Sequence, residues 1–328
     1  MSFTLLICVI LFTLLFCYTN GFHDSANSIA TIVSTKSLSV RSAVIYGAAL
    51  NFCGAFFGIQ VAKTIGIGIV SVVSITQLVI LSALLGATIW NFITWHFGLP
   101  SSSSHALIGG LIGAAIAHAK LSVINIHGVM LKIVLPMIVS PILGIIVTFF
   151  LLTVLLHFLH KVSVNRINNS FAKLQIVSTG FMAFSHGAND TQKSVGIITM
   201  ALINFYALKD FHVSLWVVVI CAAAMAFGSM LGGLRIIKTM SHKIVKLKPL
   251  DGFAAETSTS AILLLATYVG APVSTTQIIS GAIIGAGSCK NLGAIDWGVF
   301  RAVIVAWILT IPFCALLSAA IYYLISLV

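Results

Sequence analysis

Gly21-Phe22-His23-Asp24-Ser25-Ala26-Asn27-Ser28-Ile29-Ala30 sets a histidine, an aspartate and an asparagine directly behind an unbroken apolar run. The chain then repeats the pattern. Gly187-Ala188-Asn189-Asp190-Thr191-Gln192-Lys193-Ser194-Val195-Gly196 reads as the same Gly-x-(His/Asn)-Asp-(Ser/Thr)-x-(Asn/Lys)-Ser-(Ile/Val)-(Ala/Gly), again after an apolar run. A polar motif placed twice in hydrophobic surroundings predicts an internal duplication.

The surroundings define the solvent. Of 328 residues, 59% are hydrophobic and 7% charged, with a mean hydropathy of +1.15, whereas about a quarter of residues are charged in soluble proteins. Apolar runs near the roughly 20 residues that span a bilayer as helix recur from residue 2 to residue 327. The expected fold class is an all-α polytopic membrane protein, with membrane lipid as partner and no room for a soluble domain. Met1–Tyr18 has neither a basic leader region nor a small-residue cleavage site, so it reads as a retained helix. The six cysteines stand singly, without C-x-x-C spacing, and read as small buried hydrophobes. The net charge of +11 sits in short connections between spans, which argues against nucleic acid as a partner.

Apolar runs near 2–36, 41–62, 75–97, 99–117 and 130–158 are answered by runs near 174–205, 213–234, 252–269, 271–288 and 298–327. With one net crossing each, five per half places the second copy upside down relative to the first. The expected organisation is a first transmembrane repeat over 1–160, a short cytoplasmic linker over 161–173, and an inverted second repeat over 174–328. Charges agree with a start outside. Lys36, Arg41, Lys161, Arg166, Lys173, Arg235, Lys238, Lys243, Lys246, Lys248, Lys290 and Arg301 then fall in cytoplasmic connections, and only Lys63, Lys120, Lys132 and Lys209 in outer ones. This predicts a plasma membrane protein, in a bacterium the inner membrane, with both termini outside. Inverted repeats around a midplane site are the common plan of secondary transporters.

The runs 2–36 and 174–205 are too long for one ordinary span and hold the motifs in their middle, which predicts broken helices lining a polar cavity. A second duplicated element, Gly98-Leu99-Pro100-Ser101-Ser102-Ser103-Ser104-His105 and Gly270-Ala271-Pro272-Val273-Ser274-Thr275-Thr276-Gln277, reads as two helix starts delivered into the membrane.

Three of the six acids, Asp24, Asp190 and Glu256, fall inside apolar segments, where an ionisable group costs about 2.5–3.5 kcal/mol on the insertion scale. Asp24 with Asn27 and Ser28 one helical turn on offers oxygens for a hard cation or a proton, and Asn189, Asp190, His23 and Glu256 join it as candidate coupling-ion residues. Lys193 either neutralises Asp190 or meets an anion. Ser101, Ser102, Ser103, Ser104, Ser274, Thr275 and Thr276 provide hydroxyl donors at helix N-termini, a setting that favours a tetrahedral oxyanion. His23 and His105 have Asn189 and Gln277 as counterparts, so a histidine relay is confined to the first half.

Asn20-Gly-Phe-His-Asp-Ser-Ala-Asn27, Gly98-Leu-Pro-Ser-Ser-Ser-Ser-His105, Phe184-Ser-His-Gly-Ala-Asn-Asp-Thr-Gln-Lys193 and Pro272-Val-Ser-Thr-Thr276 resemble the signature blocks of the PiT family of inorganic phosphate transporters, in order and across both halves. The resemblance implies a symporter, not an enzyme, that takes up inorganic phosphate by alternating access as a homodimer, without a cofactor. Sodium-coupled members similar to this chain usually have asparagine where Lys193 stands. H+ is therefore favoured over Na+ as coupling ion, with phosphate carried alone or as a complex with a divalent metal. The rival substrate is sulfate or another tetrahedral oxyanion. The remote rival is an intramembrane aspartyl or serine hydrolase, which the flanking donors and the duplication disfavour.

Overall fold

The computed structural model describes residues 3–68, 75–208, 210–231, 233, 236, 237, 239 and 245–327, apart from the side chains of Ser25 and Ala294. Of the basic residues counted above, Lys209, Arg235, Lys238 and Lys243 lie outside the described residues. The main helices in order are α1 (Phe3–Ser34), α2 (Val40–Gly54), α3 (Gln60–Ile67), α4 (Gln77–Phe97), α5 (Ser103–Ala119), α6 (Ile126–Leu159), α7 (Val164–Tyr206), α8 (Leu215–Met230), α9 (Pro249–Val269), α10 (Thr275–Ser288) and α11 (Trp297–Ser326). No strand occurs among the described residues.

The motif-bearing helices α1 and α7 pack against each other at the centre. Around them the halves exchange partners. α1 packs on α8 while α7 packs on α2, and α5 packs on α11 while α10 packs on α6. Among the described residues, four helices (α1, α4, α6 and α11) are long and apolar enough to cross a membrane. The outer helices α6 and α11 turn exposed Ile, Leu and Phe side chains outward, the surface that lipid solvates. α7 falls outside that group because its sequence is too polar, and its polar middle faces protein: from Ser185 to Ala201 every residue is buried.

Three expectations need correction. The helices do not break at the motifs: α1 and α7 run helical through Gly21 and Gly187. Both glycines serve close packing instead. A Cβ on Gly21 would stand 2.3 Å from the Met225 carbonyl of α8, and one on Gly187 would stand 2.1 Å from the Asn51 carbonyl of α2. Small residues let backbones touch where lipid supplies no hydrophobic drive between helices. Second, the run 41–62 is two helices, α2 and α3, parted by a turn at Gly58 with φ +82°. Third, residues 164–173 of the expected linker are the opening turns of α7.

The Gly-x-Pro elements behave as helix stops and starts. Gly98 (φ +64°) and Gly270 (φ +79°) close α4 and α9 in the left-handed conformation that a residue with a Cβ resists. Ser102 and Ser274 then cap α5 and α10, accepting from the backbone N–H of His105 at 3.2 Å and of Gln277 at 3.4 Å. Neither tip reaches the surface: Pro100–Ser102 and Pro272–Ser274 are buried, and the Pro100 carbonyl accepts from Trp307 Nε1 at 3.1 Å. α4–α5 and α9–α10 are thus hairpins that point inward.

Candidate functional site

Helical continuity through the motifs sets the site's geometry, because residues three and four apart then share a face. On α1 that face carries His23, Asp24 and Asn27; on α7 it carries His186, Asn189, Asp190 and Lys193. All are at most 2% exposed.

Each motif bonds to the hairpin tip of the other half. Asn27 Nδ2 donates to Thr276 Oγ1 at 2.7 Å, and Thr276 Oγ1 donates onward to Asp24 Oδ1 at 3.2 Å. Lys193 Nζ donates to Ser104 Oγ, to Asp190 Oδ1 at 2.5 Å and to the Val273 carbonyl at 2.9 Å. An ammonium has three hydrogens, and these contacts use them all. Lys193, expected either to neutralise Asp190 or to meet an anion, is committed to protein oxygens.

His23 lies between its own neighbour and the first tip. Its Nδ1 is 2.8 Å from Asp24 Oδ1, and its Nε2 is 2.9 Å from Thr94 Oγ1 and 3.4 Å from Ser101 Oγ. Asn189 donates to Thr267 Oγ1 at 3.0 Å and to the Ala271 carbonyl at 3.3 Å, anchoring α7 to the second hairpin. Ser102 and Ser274 cap their helices through oxygen and keep their O–H hydrogens for another acceptor. The Oγ atoms of Ser103 and Thr275, together with Asn27 Oδ1 and Asn189 Oδ1, are buried with no hydrogen-bond partner among the described residues. Such groups are costly unless something polar meets them.

Glu256 stands apart from this centre. Its carboxylate accepts from Thr31 Oγ1 on α1 and from Gln175 Nε2 (3.0 Å), Ser178 Oγ and Thr179 Oγ1 (2.9 Å) on α7, so α1, α7 and α9 are joined around one fully buried acid. It shares no bond with Asp24 or Asp190 among these contacts.

Sequence reasoning missed several partners. His186 Nε2 lies 3.2 Å from Asp190 Oδ2, near enough for charge attraction though not aligned as a hydrogen bond, and its Nδ1 is 2.7 Å from Asn51 Oδ1. Its place one turn before Asp190 was the available signal. Gln192 holds the α2–α3 turn, donating to the Phe57 carbonyl at 2.8 Å and accepting from Val61 N–H at 2.9 Å. Thr94, Thr31, Gln175, Ser178 and Thr179 carry no motif and become visible only once the helices are packed.

A helical membrane protein that gathers two buried aspartates, a lysine and two inward helix starts at one centre is of the transporter class. The comparisons agree. The family model described as the phosphate transporter family matches residues 20–318. The chain is similar to a probable low-affinity inorganic phosphate transporter of Rhizobium meliloti (strain 1021), 44% identical over 100% of this chain and 98% of that protein. A protein of Bacillus subtilis (strain 168) with the same description is 41% identical over 99% and 98%. A solved structure described as the sodium-dependent phosphate transporter matches with a TM-score of 0.92 at 25% identity, covering 99% of this chain and 100% of that one. The chain belongs to the phosphate transporter family, and the hydrolase reading falls away.

Proposed function

We propose that this protein imports inorganic phosphate across the plasma membrane as a cation-coupled symporter, with both termini outside and two inverted repeats, 1–160 and 174–328, working by alternating access. The single observation that carries the reading is the reciprocal crossing at the centre: Asn27 of the first motif meets Thr276 of the second tip, and Lys193 of the second motif meets Ser104 of the first. Phosphate sits between the tips, in the space lined by Ser101–Ser104 and Ser274–Thr276, where the Ser102, Ser103, Ser274 and Thr275 hydroxyls have hydrogens to donate and two helix N-termini favour an anion. The unpartnered Ser103 and Thr275 hydroxyls supply donors there. Asp24, with His23 and Asn27, takes the coupling cation. A divalent metal, where it accompanies phosphate, travels as cargo. The working unit is a homodimer, as the family resemblance implies.

H+ is the preferred coupling ion because Lys193 places a fixed positive charge on Asp190, which repels a second cation. Sodium is the second reading, favoured by the name of the matching structure. Uptake of radiolabelled phosphate into proteoliposomes tests both. The proposal requires competition by arsenate rather than sulfate, collapse by a protonophore, and indifference to replacement of sodium; strict sodium dependence overturns the ion assignment.

A further inference from the structure

We infer that the Lys193 ammonium is a tethered cation that fills the second motif's own cation position, so that only the first motif is left to bind and release a coupling ion. The inference rests on the reading of the chain as a cation-coupled phosphate carrier.

The oxygens around Nζ make the case. They are a carboxylate (Asp190 Oδ1), a hydroxyl (Ser104 Oγ) and a main-chain carbonyl (Val273 O), the donor types that hard cations choose. They come from α7, from the start of α5 and from the tip before α10, so the charge ties both hairpins to one helix. Among the described residues the other cationic group beside Asp190 is His186, which is charged only when protonated. With every N–H already engaged, Lys193 has no hydrogen left to hold an anion directly.

The first motif shows what the same geometry looks like without the charge. At the position that matches Lys193 stands Asn27, which donates to Thr276, which in turn donates to Asp24. A neutral amide replaces the ammonium, and Asn27 Oδ1 remains buried without a partner among the described residues. A free ion must enter and leave in each cycle, whereas a lysine side chain cannot leave. The two motifs therefore divide the work: the second holds its cation permanently and the first exchanges one.

The test is Lys193→Asn, which copies the first motif into the second. In proteoliposomes at fixed pH, phosphate uptake is compared between sodium and choline media for parent and variant. The sodium-to-choline ratio should rise about tenfold or more in the variant, because a buried carboxylate stripped of its partner is strongly disfavoured until another cation replaces it. An unchanged ratio, or a variant that responds to pH but not to sodium, overturns the inference. Should the variant be inactive, its thermal unfolding in detergent decides: sodium must raise its melting temperature more than the parent's, since an ion bound only by the folded state stabilises it. Lys193→Ala carries the same expectation if the asparagine variant does not accumulate. A parent that carries no phosphate at all would refute the functional reading, while the melting experiment would still judge Lys193.

Discussion

Gly187→Ala should damage a helix that alanine would ordinarily strengthen. In a continuous helix, alanine for glycine gains about 1 kcal/mol. Here the added Cβ would stand 2.1 Å from the Asn51 carbonyl oxygen and 2.8 Å from both its carbonyl carbon and its Cα, where ordinary contact begins at 3.4 Å. These are backbone atoms, so no side chain can swing aside, and α2 and α7 must part by about 1.3 Å, the difference between 3.4 and 2.1. That displacement stretches His186–Asn51 from 2.7 Å and Gln192–Phe57 from 2.8 Å beyond hydrogen-bond range. Overpacking costs about 1–3 kcal/mol and each lost bond about 0.5–1.5 kcal/mol. Set against the propensity gain, the net loss is about 1–5 kcal/mol. Thermal unfolding of the purified variant should show it, together with reduced phosphate uptake as His186 loses its support beside Asp190. A variant that melts at or above the parent would refute the close helix crossing and restore the idea that α7 is interrupted at Gly187.

Asp24→Asn and Asp190→Asn should each abolish phosphate uptake while membrane insertion, read by fractionation, is retained; near-normal transport by either removes that residue from the mechanism. Alanine at Ser102 and Ser103 together, or at Thr275 and Thr276 together, should raise the KM for phosphate more than it alters the response to the driving ion, as a paired titration of phosphate and pH would reveal. Glu256→Gln turns an acceptor of four donors into an amide that presents N–H to some of them, which should cost about 1–3 kcal/mol per group left unpaired, visible as a lower melting temperature; an unchanged one would show that the acid does not join α1, α7 and α9.

Much of this arrangement was legible in the amino-acid sequence because bilayers restrict what a chain can do. Long apolar runs marked most of the helices. Gly-x-Pro-hydroxyl marked the hairpin tips, because there glycine ends one helix, proline blocks its continuation and serine caps the next. The duplicated aspartates pointed to the centre. Local pattern could not reveal why Gly21 and Gly187 precede them. A glycine before polar residues looks the same whether it breaks a helix or lets a neighbour approach, and only the positions of Met225 and Asn51 distinguish the two. Glu256 shows the same limit from the other side. Its place in an apolar segment groups it with Asp24 and Asp190, yet its four donors lie elsewhere, two turns further along α1 and three to four turns before Asp190 on α7. Partners such as Thr94 and Gln175 belong to no motif, because a single hydroxyl or amide in a membrane helix gains meaning only from what faces it.

The most direct measurement is a crystal structure of the protein soaked with arsenate, with the arsenic located by its anomalous scattering. One arsenic peak lying between the two tips, with its oxygens about 3 Å from hydroxyls of both the 101–104 and the 274–276 segments, is the predicted result. A peak bound by one half alone, or lying away from Asp24 and Asp190, would contradict the account.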